Sequence, residues 1–295
     1  MNKVLITGSN GMLGKALVEI FSKDRSFSLF GINRSASNKQ FIDNYTCDLT
    51  DLKILRSILD EIKPDIIIHC AANVNLEYCE REKKYAYQLN AKSSEILASY
   101  NSDVTKFIYI STDSVFDGIV GDYTEGSETN PLNYYAFTKL EGEKLITQSN
   151  PNAIIIRTNI YGFHTETGNS LVEWGLKNLI AGRGITGFYD VIFNPVYTKQ
   201  LAEVCYELII SNYKGLVNVG SYKNISKYDF LIKLADYFKL DSNLVKKGSI
   251  DNMMNFKVKR SKNTTLNTQY IKELVNVDLS IDTGFKELVK DYYNK

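Results

Sequence analysis

The first half of the chain alternates between two patterns. Runs in which most residues are apolar fall at 3–7, 27–32, 45–47, 65–71, 105–110 and 153–157. Stretches with apolar residues at three- and four-residue intervals fall at 12–22, 51–62, 80–100 and 134–147. The first pattern predicts strands and the second amphipathic helices. Lys63-Pro64 and Asn150-Pro151 mark helix ends. Continuous apolar strands separated by helices predict an α/β fold, a doubly wound parallel sheet covered on both faces.

The second half is less regular. Helices are predicted at 170–181, 199–211, 228–238 and 285–293, a strand at 216–219, and a loop over the polar, basic stretch 246–268. With four prolines and no flexible linker, a smaller lobe packed closely on the sheet is expected. The division expected is 1–160 for the sheet and 161–295 mainly for the lobe, with some segments returning to the sheet.

Composition narrows the function classes. Of 295 residues, 44% are hydrophobic and 23% charged, with Lys plus Arg at 35 against Asp plus Glu at 34. A net charge of +1 without a basic run argues against nucleic-acid binding. No apolar stretch approaches a membrane span, and MNKVLITGSN runs directly into a strand, so a cytoplasmic protein is expected. Cys47, Cys70, Cys79 and Cys205 form no CxxC pair and read as free thiols; His69 and His164 are the two histidines. A Cys/His zinc site and a Ser-His-Asp triad are both disfavoured, and no metal site is expected.

The first strand ends in Thr7-Gly8-Ser9-Asn10-Gly11-Met12-Leu13-Gly14 and opens a helix. Glycines at the first β-to-α turn let a pyrophosphate approach the amides at a helix N-terminus, so Gly8, Asn10, Gly11, Met12 and Leu13 are expected to hold a dinucleotide. Strand two ends in Asn33-Arg34-Ser35, with no carboxylate to hold ribose hydroxyls. The Arg34 fork and the Ser35 hydroxyl suit a 2′-phosphate. NADPH is therefore the expected cofactor, with NADH left open. Asp48 and Leu49 follow the short third strand and are expected near the adenine, although Thr50 or Asp51 there also read as a helix cap.

Strand five ends in Ser111-Thr112-Asp113-Ser114, and the next helix carries Tyr135 and Lys139 one turn apart. A free tyrosine has a pKa of about 10, too high for fast proton transfer near neutrality. The Lys139 ammonium and an oxidised nicotinamide would both favour phenolate. Thr112 would orient a reacting carbonyl. The trio suits carbonyl reduction, with Tyr135 as the proton donor and Lys139 also on the nicotinamide ribose.

Gly8, Gly11 and Gly14, Ser111-Thr112-Asp113, and Tyr135 with Lys139 together resemble the extended short-chain dehydrogenase/reductases. STDSVFDG, the run from Pro131 to Glu143, Arg157-Thr158-Asn159-Ile160-Tyr161-Gly162 and Ala71-Ala72…Glu80 resemble the dTDP-4-dehydrorhamnose reductases more closely. That resemblance implies a Rossmann-type domain with a C-terminal substrate-binding lobe. It also implies reduction of the C4 ketone of a nucleotide-linked 4-keto-6-deoxysugar destined for a surface polysaccharide. It places Ala71, Ala72 and Tyr161 at the cofactor and Asp113, Ser114, Asn194 and Arg260 at the substrate. A homodimer is left open. The chain departs from the family pattern at Ser114, at Asn194-Pro195-Val196-Tyr197 and at Arg260-Ser261, all on substrate-facing elements.

Other residues carry plainer readings. His69 reads as a hydrogen-bonded core histidine, and His164 as an exposed one. Asn90, poorly suited to a helix interior, is expected by the resemblance to face the catalytic helix. Asp113 is a turn residue or a polarising group. Lys257, Lys259, Arg260 and Lys262 form a diphosphate clamp or a solvated basic loop. Trp174, Phe188, Tyr189 and Tyr197 are mostly core, with one free to stack on a base. Among rival activities, dehydration lacks its added acid at Ser114, and Arg34 argues against an NAD-retaining 4-epimerase. A non-catalytic role remains as an alternative, like that of the reductase-like regulatory subunit of methionine adenosyltransferase.

Overall fold

A computed structural model describes residues 1–36, 42–164, 168–252 and 257–294. In chain order it contains β1 (Asn2–Thr7), α1 (Met12–Phe21), β2 (Phe27–Asn33), β3 (Asp43–Thr46), α2 (Leu52–Ile62), β4 (Ile66–His69), α3 (Leu76–Arg81), α4 (Lys83–Tyr87), α5 (Ser93–Ser99), β5 (Lys106–Ile110), α6 (Tyr134–Ser149) and β6 (Ile154–Thr158). There follow β7 (Ile160–Tyr161), α7 (Leu171–Ile180), β8 (Ile185–Phe188), β9 (Ile192–Phe193), β10 (Val196–Tyr197), α8 (Thr198–Ile210), β11 (Gly215–Val219), β12 (Ile225–Ser226), α9 (Lys227–Tyr237), β13 (Val245–Gly248), α10 (Gln269–Leu274) and α11 (Ile281–Tyr293).

Seven parallel strands form the central sheet in the order β11-β6-β5-β4-β1-β2-β3. This is the Rossmann-type arrangement. Alternation along each strand explains both covered faces. Val4, Ile6, Ile66, Ile68, Ile108, Ile154 and Ile156 pack with α1 and α8 on one side. Leu5, Ile67, Phe107, Tyr109 and Ile155 pack with α2 and α5 on the other. Strand order reverses between β1 and β4, and such a switch point opens a ligand crevice at the carboxyl ends of the strands.

A separate core gathers Tyr161, Phe163, Phe193, Phe230 and Phe285 between α7, α9 and α11. The second half of the chain also returns to the sheet: β11 pairs with β6, and α8 packs on the α1 side.

Two expectations change. The helix expected at 80–100 breaks at Glu82, and its middle widens into a π-helical turn over Gln88–Lys92. Wide turns of this kind push a backbone carbonyl and its side chain inward, frequently at functional sites. The stretch expected as loop at 246–268 begins with β13, which pairs parallel with β8; its residues 253–256 lie outside the described residues.

Candidate active site

A cavity of about 420 Å³ opens at the switch point, walled by Gly8, Gly11, Arg34, Asp48, Ala71 and Tyr85 among others. The glycine loop is shaped by close approach. Gly8 has φ +71°, and a Cβ there would come within 3.2 Å of the Ala71 backbone. A Cβ on Gly14 would fall 2.2 Å from the Gly8 carbonyl oxygen, so the helix could not seat against the loop. Gly11 caps α1 without a side-chain hydrogen bond, so among the described residues no side chain caps the first amides of the helix. Leu13 is buried in the sheet core and the Met12 side chain lines a different cavity, so both reach a ligand at the loop only through their backbone. The Asn10 amide donates to Asn33 Oδ1 at 2.8 Å, tying the loop to the end of β2.

Arg34, Asp48 and Tyr85 form a cluster at one end of this cavity. Tyr85 donates to Asp48 Oδ2 at 3.0 Å, and the charge of Arg34 acts on its phenol. Burial opposes ionisation of Asp48, but bonds from Thr50 and Tyr85 and the charge of Arg34 hold its pKa below the usual value. Leu49 and Ala72 complete the wall. Ser35 is exposed and is not part of the lining.

Beneath the cavity, sheet register builds a buried polar row. Thr7 pairs with His69 and His69 with Tyr109 across three strands. Thr7 Oγ1 lies 2.6 Å from His69 Nδ1, and His69 Nε2 lies 2.9 Å from Ser94 Oγ. Ser94 donates onward to the Asn90 carbonyl, so its oxygen accepts from Nε2–H, and Thr7 donates to Nδ1. Burial, aided by the charge of Lys139, pushes the imidazole pKa down to about 3. His69 is thus the neutral core histidine expected. Asn90, in the π turn, bonds to both the amide and carbonyl of Asn73 and donates to Thr138 on α6 at 3.0 Å.

These contacts position α6. Asn133 caps it by accepting from the Ala136 amide at 2.9 Å, and Glu80 accepts from the Tyr134 amide at 2.7 Å. The Lys139 ammonium then sits 3.8 Å from the centre of the Tyr109 ring, with its pKa lowered to about 7 by burial while Glu143 pulls the other way. The Tyr135 phenol is hydrogen-bonded to Thr112. Burial raises the phenol pKa, the Thr112 bond lowers it, and the Asp113 and Cys79 charges raise it. Thr112 and Tyr135, named from sequence, are thus brought together, while the Lys139 ammonium lies over Tyr109. Relief of the phenol pKa by Lys139 does not emerge: burial dominates, and the ammonium stands over Tyr109.

A second cavity, of about 820 Å³, adjoins Thr112 through Asp113 and Ser114 and extends to α7, β8 and α9. Asp113, only 2% exposed, accepts from Asn159 at 2.9 Å and Thr264 at 2.5 Å on one oxygen, and from Thr112 and Ser114 on the other. Its carboxylate is thus a junction between the sheet end and the later chain. Ser114, Arg260, Ser261, Trp174 and Phe188 line the cavity. The basic stretch does not converge on it: Lys262 pairs with Asp190 and Asp251, while Lys257 and Lys259 line another hollow. Sequence reasoning missed Tyr85, Asn159, Lys227 and Thr264. The one usable signal was Lys227, a cation at the first position of a helix, where the helix dipole disfavours it.

Two expected ligands are corrected. Tyr161 is 3% exposed and its ring packs against Tyr197, Phe230 and Phe285. The side chain faces the second core and does not line the first cavity. Asn194 donates to the Ser221 and Leu266 carbonyls and accepts from the Leu266 amide. It staples three chain segments behind the substrate-side cavity and does not line it. His164 is held by Glu173, its Nδ1 2.7 Å from the carboxylate.

Comparison with known proteins agrees with this geometry. The RmlD substrate binding domain family matches residues 1–294. A dTDP-4-dehydrorhamnose reductase of Aggregatibacter actinomycetemcomitans is 32% identical over 249 residues, covering 80% of this chain and 79% of that protein. Methionine adenosyltransferase 2 subunit beta of Xenopus tropicalis is also 32% identical, over 81% of this chain and 73% of its own length. Among solved structures, a dTDP-4-dehydrorhamnose reductase of Clostridium acetobutylicum superposes with a TM-score of 0.86 at 28% identity, covering 99% of this chain and 100% of that one. The enzyme of the same name from Bacillus anthracis, in complex with NADP, gives 0.86 at 26% identity over 99% of both chains. On this evidence the chain belongs to the RmlD substrate-binding-domain family of the extended short-chain dehydrogenase/reductase fold.

Proposed function

We propose that the protein is an NADPH-dependent reductase of the C4 ketone in a nucleotide-linked 4-keto-6-deoxysugar. The observation that carries this reading is the approach of the buried Tyr135 phenol to Thr112, which Asp113 joins to the larger cavity. The comparison with an NADP-bound relative supports the choice of cofactor, and so does the absence of a carboxylate at the end of β2.

The first cavity fits a dinucleotide. Gly8, Gly11 and the uncapped amides of α1 suit a pyrophosphate; Asp48 and Leu49 suit the adenine end, Arg34 a 2′-phosphate, and Ala71 and Ala72 the path toward the ring. When bound, NADPH supplies the hydride. Thr112 Oγ1 redirects its one proton from Asp113 Oδ1 to the carbonyl oxygen of the substrate and fixes its position. Tyr135 Oη, which burial keeps protonated near neutrality, gives its proton to that oxygen as it becomes a hydroxyl. Lys139 holds the nicotinamide ribose. Ser114 and Arg260 line the substrate side, with Asp113 as the anchor behind them. An oxidising branch at C4 of an epimerase would use the same trio, but Arg34 suits a 2′-phosphate better than ribose hydroxyls.

A second reading is a cofactor-binding subunit of a larger enzyme, favoured by the 32% identity to a methionine adenosyltransferase subunit. One assay separates them. Purified protein, NADPH and a dTDP-4-keto-6-deoxyhexose are mixed and cofactor oxidation is followed at 340 nm. Turnover is expected, with Tyr135→Phe slower by about 10²–10⁴ while NADPH binding persists. No turnover with any nucleotide 4-ketosugar favours the subunit reading. An unimpaired Tyr135→Phe would mean that the proton comes from elsewhere.

A further inference from the structure

A buried ion pair lies beside the proposed reaction centre. Glu143 and Arg157 are each 5% exposed. Arg157 grips the carboxylate with two prongs, Nη2 to Oε2 at 2.7 Å and Nε to Oε1 at 3.1 Å. Ser111 donates to Oε1 as well. The guanidinium is held in turn by the Phe116 ring, 5.1 Å away, and by the Glu125 carbonyl. Apolar residues of similar volume often replace such a pair without loss of stability, so packing alone does not account for a carboxylate here.

Its place does. Glu143 follows Lys139 by four residues on α6, so the two side chains leave one helix face a turn apart. Ser111 directly precedes Thr112, and Arg157 lies in β6. The pair therefore pins the Lys139 turn of α6 to β6 and to the end of β5. Lys139 is 3% exposed, and its ammonium rests on the Tyr109 ring. Among the described residues it has no hydrogen bond and no ion pair. Its titratable neighbours are neutral near pH 7: His69 and Cys70 at the end of β4, Tyr109 on β5, and Tyr135 on α6. Cys79 on α3, which acts on Tyr135, is neutral there too. Other charges on elements packed against α6 are engaged elsewhere. Glu80 pairs with Lys83, Glu95 with Lys92, and Asp113 accepts four hydrogen bonds. Glu143 is the carboxylate that opposes loss of the Lys139 proton to burial, and Tyr109, beneath the ammonium, feels the same charge.

We propose that Glu143 is a positioning residue for Lys139: clamped by Arg157 and Ser111, it fixes the turn that carries the lysine and supplies the counter-charge that keeps the ammonium protonated. The use of that charge rests on the reductase reading, in which an ammonium holds the nicotinamide ribose by charge-assisted bonds, roughly twice as strong as neutral ones.

The test reads Lys139 directly, by NMR of cofactor-free protein whose lysines carry carbon-13 at Cε. The Lys139 resonance, identified by its loss in Lys139→Arg, is followed from about pH 4.5 to pH 10. Unit charges one helical turn apart, at an effective dielectric constant of about 20, shift an ionisation constant by about ten- to a hundredfold. Glu143→Gln should therefore lower the Lys139 midpoint by about one to two pH units. Arg157→Lys and Ser111→Ala keep the carboxylate and should leave the midpoint within about 0.3 unit of wild type. Glu143→Gln leaves Arg157 unpaired; if that variant does not fold, combining it with Arg157→Gln removes both charges. The midpoint should still fall, by about half as much, because the carboxylate is the nearer charge. An unchanged midpoint in either variant, with only stability lost, makes the pair a structural clamp and overturns the proposal. In turnover, the alkaline limb of kcat/KM should move to lower pH with the midpoint; a limb that stays in place overturns the use of the Lys139 charge in the reaction. A midpoint that falls as expected, with no turnover in the wild type, removes the reductase reading and leaves the coupling of Glu143 to Lys139 standing.

Discussion

His69 offers a quantitative test of the polar row beneath the cofactor cavity. Folded, its imidazole stays neutral down to about pH 3 because it is buried and faces the charge of Lys139. In the unfolded chain it takes up a proton near pH 6.5. Between these values the unfolded state binds more protons, so stability falls as pH falls through that window. At pH 5 the difference is about 2 kcal/mol relative to pH 8, or about thirtyfold in the folded-to-unfolded ratio. Urea unfolding at pH 8, 6.5 and 5 measures it, with His69→Gln as the reference that cannot titrate. The variant is expected to lose about 1–2 kcal/mol at pH 8, because one amide cannot replace both ring contacts to Thr7 and Ser94. Its decline from pH 8 to 5 should nevertheless be smaller than the wild-type decline by about 2 kcal/mol, since carboxylates contribute equally to both proteins. Parallel declines would show that His69 is protonated in the folded state, and the Thr7–His69–Ser94 assignment would be wrong.

Two further outcomes test the remaining assignments. Arg34→Ala should raise the NADPH Michaelis constant by about tenfold, the loss of one exposed charge-assisted contact, and leave that for NADH nearly unchanged; equal effects on both cofactors would remove Arg34 from the 2′-phosphate. Asn194→Ala should lower stability by about 3 kcal/mol in thermal or urea unfolding, because it leaves a buried amide and two carbonyls unpaired, without changing the substrate Michaelis constant in the folded enzyme. A stable variant with impaired substrate binding would restore Asn194 to the substrate site.

The parallel sheet was legible because burial on both faces forces its strands to be apolar, as in Ile66–His69 and Ile154–Thr158. The proposed trio could be named because helical periodicity puts Tyr135 and Lys139 on one face of α6 and Thr112 stands at the end of β5. Strand β13 was hidden because Lys246 and Lys247 are exposed: its pairing with β8 uses backbone atoms, which leave no mark on composition. Tyr161 was misplaced for a related reason. It lies in a strand of two residues, too short to show which face each side chain takes. Asn194 and Lys227 are both polar residues on the later chain, and their sequence neighbours do not reveal that the Asn194 amide is saturated by backbone partners while, among the described residues, the Lys227 ammonium has no hydrogen bond. That distinction depends on contacts such as Asn194 with Leu266, 72 residues apart.

The same contrast explains why substrate-facing positions depart from the family pattern while the proposed redox residues do not. Thr7, His69 and Tyr109 occupy one row of paired strands, and the Lys139 ammonium rests on the last ring of that row. Moving any of them means shifting sheet register, which would turn every apolar side chain of a strand to the wrong face. Ser114, Arg260 and Ser261 sit on connections outside the sheet, where replacement costs little packing. Asp113 holds the two parts together. Its oxygens bind Thr112 and Ser114 on the sheet side, and Asn159 and Thr264 on the other. The segment around Thr264 is further fixed by the Tyr123–Leu266 bridge. On the proposed function, sugar preference changes through loop side chains while Asp113 holds Thr112 in place, because Thr112 is fixed by the sheet and the proposed recognition residues stand on the connections attached to it.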